Sequence, residues 1–274
     1  FSNMTGATRA PSYEAYLEFQ RGVTTFGDAA SIQHLRSAVA LDPSFVMARI
    51  QLALAYRNQP LLSQADEVLR SIEEPAYFSK ATPAEQALTR HYRASLDGNW
   101  IAALAAAREF GRLMPNSFWW SVVGISEDRV HHPRAAAEAY SHVPLSSAPA
   151  EAGPLAIMPF VNRASVYHQL GEYGTQLELA QLGYQHYPND GAFYSQEAGA
   201  LIALGRLGEI DGVVLRCEKA SLRSGSKGAL LYHAARELRT HGHADAATAM
   251  ATRAAAWYKT QLERVKATTA LRES

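Results

Sequence analysis

Residues 164–183 of the chain, ASVYHQLGEYGTQLELAQLG, recur twice in altered form further along the sequence. Residues 198–217 read AGALIALGRLGEIDGVVLRC and residues 235–254 read ARELRTHGHADAATAMATRA, so the copies begin 34 and then 37 residues apart. Most positions keep their size class, and the three additional residues of the second spacing fit a loop at residues 221–227, SLRSGSK. A period of this length is the signature of stacked structural repeats.

Each repeat is predicted to contain two amphipathic helices, because apolar residues recur at helical spacing and do not alternate as they would in a strand. The clearest upstream case has a first helix at residues 45–58 and a second helix at residues 61–73. Alanine or glycine where the two helices cross allows their axes to approach closely. No segment shows the alternation of a half-buried strand, so the chain is predicted to be all-α.

Glycines are predicted to form the turns between the two helices of a repeat. Gly171, Gly205 and Gly242 follow the first helices of the last three repeats. Glycine adopts the left-handed backbone conformation of a helix C-terminus at little cost, so these positions suit helix caps. The first repeat, residues 12–43, is expected to use Gly22 in the same way.

The order of residues in these repeats resembles that of the tetratricopeptide repeat family. Its signature places bulky, small and aromatic residues in the first helix, and alanine, bulky and apolar residues in the second. The residues of the second repeat that follow this order are Leu52, Ala53, Tyr56, Ala65, Leu69 and Ile72. His91 and Gln176 depart from it, since each stands where the family has a small residue. The resemblance implies a right-handed superhelical solenoid of about seven helix-turn-helix units.

The same resemblance implies a single solenoid domain over residues 12–274. Residues 1–11 are expected to be a linker or the edge of an excised piece, because they are polar and small. The weakest repeat is expected at residues 116–154, with a loop rich in serine, alanine and proline at about residues 144–154.

The last helix is predicted to run from Ala244 to about Leu271, beyond the end of its repeat. An apolar stripe on this helix is expected to cover the open face of the last repeat, while charged residues keep the opposite side in water. The stripe comprises Trp257, Tyr258, Leu262 and Val265. A helix that binds a partner is the functional alternative.

By the resemblance, first-helix positions that do not pack on the second helix line an inner groove. The residues assigned to this groove are Arg57, Asn58, Tyr92, Trp119, Arg129, His168, Tyr232 and Arg236, with Met47, Ile50 and Leu88 beside them. Aromatic rings next to arginines suit extended peptides, since they combine stacking with carboxylate recognition. The alternative is that the arginines are solvated or paired for structural reasons.

Composition excludes several classes of protein. Lysine and arginine number 26 and aspartate and glutamate number 26, so the chain has no net charge and is not expected to bind nucleic acid. No apolar run approaches the ~18 residues of a membrane span, so insertion of this segment into a membrane is not expected. A single cysteine, Cys217, excludes an intrachain disulfide and is expected to be buried. Either the bacterial cytoplasm or the periplasm is compatible with one thiol, and the oligomeric state is left open.

Motifs of catalysis and metal binding are not found in the sequence. There is no GK[ST] phosphate loop, G-x-S-x-G elbow or HExxH helix, so no catalytic residue, no cofactor and no enzymatic activity are predicted. His131 and His132 are adjacent, and His241 and His243 flank a glycine. Neither pair has the i, i+4 spacing of a helical zinc site, and no metal is predicted.

The function predicted from these observations is a non-catalytic scaffold that binds a protein or an extended peptide in the groove. Residues 12–56 also resemble the repeat module attached to bacterial signalling kinases and transcriptional regulators. The alternative is therefore a sensory domain that binds a small molecule or peptide and regulates an attached kinase or transcription factor.

Overall fold

The computed structural model describes residues 10–115, 119–143 and 154–273, most of which are helical. The helices form seven consecutive hairpins, which confirms the predicted all-α class. In chain order the helices are α1 (Tyr13–Thr24), α2 (Ala29–Leu41), α3 (Val46–Asn58), α4 (Leu62–Glu73), the short α5 (Pro75–Phe78), α6 (Pro83–Leu96), α7 (Trp100–Leu113), α8 (Trp120–Arg129), α9 (Pro133–Ser141), α10 (Pro154–Gln169), α11 (Tyr173–His186), α12 (Gly191–Ala203), α13 (Ile210–Lys219), α14 (Lys227–Thr240) and α15 (Ala244–Glu273). No helix in these described ranges is long and apolar enough to cross a membrane.

The first helices of the seven hairpins are α1, α3, α6, α8, α10, α12 and α14, and the short α5 lies between the second and third hairpins. The chain divides into two compact units, Phe1–Asn162 (unit 1) and Arg163–Ser274 (unit 2), and the division falls inside α10. The assignment of residues 12–274 to one domain stays a prediction. The predicted linker up to residue 9 and the predicted loop up to residue 153 lie outside the described residues.

Local sequence explains where the helices begin. At α6, the Thr82 hydroxyl accepts a hydrogen bond from the Glu85 backbone N–H (3.2 Å), and the Glu85 carboxylate accepts one from the Thr82 N–H (2.9 Å). This capping box satisfies two backbone donors that the helix itself leaves unpaired. Asn99 and Ser226 cap α7 and α14 through their side-chain oxygens.

Glycines make most of the turns inside the hairpins, as predicted. The glycines with positive φ at these turns are Gly27, Gly98, Gly171, Gly205 and Gly242, at 105°, 73°, 73°, 72° and 85°. The assignment of Gly22 to the first turn was wrong. Gly22 is buried inside α1, where a Cβ atom would lie 2.6 Å from Leu35 Cγ of α2. It therefore serves the helix crossing, and Gly27 makes the turn.

The fourth hairpin, α8 with α9, uses a different turn. His131 takes the left-handed conformation there, with φ 60°. The buried Glu127 stabilises the turn, because its backbone carbonyl accepts a hydrogen bond from the His132 N–H (2.9 Å). The Glu127 carboxylate lies 2.8 Å from the Arg108 guanidinium and 3.1 Å from His132 Nδ1. This turn has no glycine, and the buried Glu127 carboxylate pairs there with the exposed side chains of Arg108 and His132.

Small side chains set the spacing of the helices in unit 1. Ala103 and Ala107 on α7 are completely buried. Gly124 on α8 lies against the ring of Tyr140 on α9, and a Cβ atom at this glycine would approach the ring to 2.6 Å. Each of these positions admits a neighbouring helix that a larger side chain would displace.

The core of unit 2 follows the same rule. Ala180 on α11 is completely buried, and a Cβ atom at Gly183 would approach the Phe193 ring of α12 to 2.1 Å. Cys217 on α13 is buried as predicted, and burial raises the pKa of its thiol. A raised pKa keeps the thiol protonated and therefore a poor nucleophile.

The face of α15 that contacts α14 coincides only in part with the predicted stripe. Trp257 lies over Gly228 of α14, where a Cβ atom would be 2.3 Å from its ring. Tyr258, Leu262 and Val265, by contrast, remain 47%, 55% and 62% exposed. The face of α15 that packs on α14 comprises the buried residues Ala247, Met250 and Ala254 and the half-buried Trp257, so the predicted stripe is one position out of register beyond Trp257. The expectation that the stripe covers the last repeat is confirmed for Trp257 and is wrong for Leu262 and Val265, while Tyr258 lies only partly over Gly228.

Candidate binding surface on the first helices

The predicted groove residues of the second and third hairpins are largely part of the core. Tyr92 on α6 is only 8% exposed, and burial raises the pKa of its hydroxyl to about 12. The Arg57 guanidinium lies 5.8 Å from the centre of its ring. The space between them has a volume of about 10 Å³, room for about one water molecule. Asn58 is exposed at the end of α3.

Three further groove assignments in this region were wrong. The side chains of Met47, Ile50 and Leu88 are completely buried, so they cannot line an open groove. Each carries apolar surface that packs in the core of unit 1. Helical spacing placed them on the first helices correctly but could not distinguish the face that contacts the next hairpin from the face that meets solvent.

Trp119 and Arg129, at the two ends of α8, are not brought together. Trp119 is half-buried and meets the edge of Phe110, with ring centres 6.1 Å apart. Arg129 is exposed, and its guanidinium lies 5.3 Å from the centre of the Trp100 ring. Both side chains contact α7, at points ten residues apart along that helix.

Unit 2 presents a more open surface on α14. Tyr232 is 58% exposed, and Arg236 is exposed one helical turn later. Residues four positions apart lie on the same face of a helix, so this ring and this guanidinium are neighbours on the surface. Among the predicted groove residues, these two combine an aromatic ring and a cation on one solvent-facing helix face.

His168, the remaining predicted groove residue, belongs to a polar cluster beside this surface. Its Nε2 atom lies 3.3 Å from the Glu237 carboxylate of α14. Its Nδ1 atom lies 2.8 Å from the Gln176 side-chain oxygen of α11. The Gln176 amide donates to the backbone carbonyl (3.2 Å) and side-chain oxygen (2.9 Å) of Gln196 on α12. Gln196 in turn donates to the Ser165 hydroxyl at 2.7 Å.

Two more histidines lie around Glu237, His233 on α14 and His241 at the C-cap of that helix. His241 Nε2 lies 3.8 Å from one carboxylate oxygen, and His233 Nε2 lies 3.9 Å from the other. The ring of His241 meets the ring of His168 edge-on, with centres 5.6 Å apart. Tyr173 packs against both rings, at 5.2 Å from His168 and 5.6 Å from His241.

The charges of the cluster shift the pKa values of its members. The neighbouring Glu237 carboxylate raises the pKa of His168 against the opposing effect of burial. The contact with His168 lowers the pKa of Glu237, and His233 and His241 lower it further. Burial lowers the pKa of His233. The arrangement therefore favours an ionised carboxylate among three imidazoles.

A glycine on α12 makes room for this cluster. A Cβ atom at Gly199 would lie 3.2 Å from His233 Nε2, 3.6 Å from Gln176 Nε2 and 3.7 Å from Glu237 Cγ. Side chains from α11 and α14 therefore meet at a position of α12 that has no side chain. Among these residues only His168 was predicted as a site residue. Gln176 departs from the family pattern, and that departure is the signal in the sequence for the cluster.

Solved structures of other proteins are similar to this chain in fold. A tetratricopeptide repeat protein from Parabacteroides merdae matches with a TM-score of 0.50 and 14% sequence identity, over 88% of this chain and 90% of that one. The chain has the tetratricopeptide-repeat fold. A chain of the APC/C hetero-tetramer Cut9-Hcn1 matches with a TM-score of 0.52 and 14% identity, over 88% of this chain and 43% of that one. No family model and no curated protein matches the sequence.

The likeness confirms the fold that the order of residues 52–72 implied. At this identity it establishes the tetratricopeptide-repeat fold and no more, so the function has to be argued from the surface of this chain. The expectation that the chain binds no nucleic acid stays a prediction.

Proposed function

We propose that this tetratricopeptide-repeat chain is a non-catalytic scaffold that binds a protein segment or an extended peptide along the first helices of its hairpins. The observation that carries the proposal is the exposed pair Tyr232 and Arg236 on α14, beside the polar cluster around Glu237. Fold similarity supports a helical-repeat scaffold, and this surface supplies the groups that would contact a ligand.

The chemistry of the pair indicates the kind of peptide. An exposed tyrosine offers a flat apolar surface that loses little conformational freedom on binding. The Arg236 guanidinium offers a fork of donors that matches a carboxylate or a backbone carbonyl. Their spacing of one helical turn suits a peptide with an apolar or aromatic residue close to an acidic one.

We expect Tyr232→Ala and Arg236→Glu each to weaken peptide binding by at least about tenfold, since loss of an aromatic or arginine anchor costs more than ~1.4 kcal/mol. The probe is a peptide that has an apolar or aromatic residue close to an acidic one and that is selected from a display library for binding to the unaltered protein. The measurement is fluorescence anisotropy. Lys219→Glu, at an exposed lysine of α13, makes the same charge change on a second helix and should leave the affinity unchanged. Equal affinity in all three variants would reject the assigned surface.

A cleft in unit 2 favours the sensory alternative as a second candidate function. It has a volume of about 430 Å³, within the range typical of small-molecule sites, and its lining includes Lys227 and Trp257. A ligand present at about 100 times its Kd would stabilise the folded protein by ~2.7 kcal/mol and raise the melting temperature by several degrees. A small-molecule thermal-shift screen tests this. The shift should be lost in Trp257→Leu and kept in Tyr258→Leu, and a shift that both variants keep would exclude the cleft.

A further inference from the structure

We propose that His168, Glu237 and His241 form a binding site for a transition-metal dication of the Zn²⁺ type. This inference is independent of peptide binding and reverses the prediction that the chain holds no metal. Two imidazoles and one carboxylate are a donor set that zinc accepts in proteins. The histidine pairs of the sequence lack i, i+4 spacing between themselves, but Glu237 lies one helical turn before His241.

The geometry places the three donor groups around one point. One ligand atom from each residue lies within 4.8 Å of the other two. The Glu237 oxygen nearest to both rings is 3.3 Å from His168 Nε2 and 3.8 Å from His241 Nε2. Bonds of about 2.0–2.1 Å to a tetrahedral Zn²⁺ place ligand atoms roughly 3.3–3.4 Å apart. Small rotations of the side chains, chiefly that of His241, are enough to close the site.

Unsatisfied polar atoms are the second observation. Glu237 Oε2 and His241 Nε2 have almost no solvent-accessible surface, and neither has a hydrogen-bond partner of good geometry. A buried polar atom without a partner loses the hydrogen bonds it would make with water, and the loss is larger for a charged atom. Both atoms point to the same space, and a bound cation would satisfy both at once.

The surrounding hydrogen bonds orient His168 for this role. Because the amide nitrogen of Gln176 already donates to Gln196, the Gln176 atom that faces His168 is its oxygen. A neutral His168 therefore donates from Nδ1, and its Nε2 lone pair is directed towards Glu237. A hydrogen bond from the distal nitrogen that fixes the imidazole in this way is typical of metal-ligating histidines.

Gly199 and Tyr173 complete the surroundings. Because Gly199 has no side chain, Glu237 and His233 can occupy the space next to it. Tyr173 packs on both ligand imidazoles and shields them on one side. Three protein ligands leave the fourth tetrahedral position to water or to another donor.

The test is titration of the chelator-treated protein with ZnCl₂ by isothermal titration calorimetry, together with CoCl₂ and visible absorption spectroscopy. We expect one saturable Zn²⁺ site and the visible d–d bands of low-symmetry Co²⁺. Glu237→Gln, His168→Gln and His241→Gln should each weaken Zn²⁺ binding by at least about 100-fold. Gln176→Leu, which removes only the orienting hydrogen bond, should weaken it by about 10–100-fold.

His186→Gln is the matched control, because His186 is an exposed histidine of unit 2 outside the cluster. The affinity of the His186→Gln variant for Zn²⁺ should equal that of the unaltered protein. Circular dichroism should show that all variants keep their helices. The absence of a saturable site, or an affinity that the three ligand variants leave unchanged, would overturn the proposal. The Co²⁺ spectrum of the unaltered protein needs no variant, and its lack of visible bands would overturn the proposal as well.

Discussion

Ala103→Glu is expected to lower the unfolding free energy of unit 1 by about 4 kcal/mol or more. Ala103 is 0% exposed on α7, at the crossing with α6 where its carbonyl contacts His91. A glutamate there either buries an uncompensated charge or displaces a helix, and both outcomes belong to the largest single-residue effects known. Urea unfolding followed by tryptophan fluorescence measures the change, since Trp100, Trp119 and Trp120 all lie in unit 1.

Ala105→Glu supplies a matched control on the same helix. Ala105 is exposed, so the same substitution should change the unfolding free energy by only a few tenths of a kcal/mol, mostly through helix propensity. Ala180→Glu, with the exposed Gln181→Glu as its control, makes the equivalent comparison in unit 2. Similar stabilities for the buried and exposed variants of either pair would mean that the alignment of the repeats is wrong at that position.

His91 is expected to make unit 1 sensitive to acid. It is buried on α6, its Nδ1 atom lies 3.1 Å from the Ala103 carbonyl, and burial lowers its pKa from 6.5 to about 4. Above about pH 6.5 the residue is neutral in both the folded and unfolded states and has no effect. As the pH falls from 6.5 towards 4, the unfolded chain takes up a proton that the folded chain does not, so stability is lost over this window. The full shift corresponds to roughly 3 kcal/mol.

The measurement is the unfolding free energy as a function of pH between about pH 4 and pH 7. His91→Gln should remove most of the loss attributed to this residue, because glutamine has no proton to gain. His142→Gln, at an exposed histidine of unit 1, should leave the acid dependence unchanged. Parallel pH profiles for His91→Gln and the unaltered protein would contradict the assignment.

The sequence was most informative where a single hairpin decides the outcome. Apolar spacing predicted α3 and α4 to within one residue, and the turn glycines Gly171, Gly205 and Gly242 take the predicted positive φ. Such features depend on neighbours along the chain, which the period of the repeat makes visible.

Features that depend on which face of a helix meets another hairpin were harder to predict. Tyr92 was assigned to an open groove but is buried, and the exposed Tyr258 was assigned to a covered face. In both cases the residue lies on the predicted helix. An error of about one position in the helix face assigned to it is enough to turn a buried residue into an exposed one, or the reverse.

The polar cluster shows a second limit of prediction from the sequence. His168 and Gln176 come from one hairpin and Glu237 from a helix about 60 residues later, and Gly199 of α12 leaves the space in which they meet. Spacing within a helix revealed the pair Glu237 and His241 only once the carboxylate was considered. The deviation at Gln176 carried the remaining information, since a glutamine replaced an alanine for a reason that the repeat pattern did not supply.

The left-handed residue at the turn between α8 and α9 has a consequence for how this protein could be rebuilt. A side chain in that conformation costs roughly 1–2 kcal/mol, which the glycines at the turns of the first, third, fifth, sixth and seventh hairpins avoid. Here the cost is offset by Glu127, which binds both His132 and Arg108. Removal or duplication of a hairpin at this junction would therefore separate a strained bend from the carboxylate that compensates it, whereas the glycine bends could be recombined without such a loss.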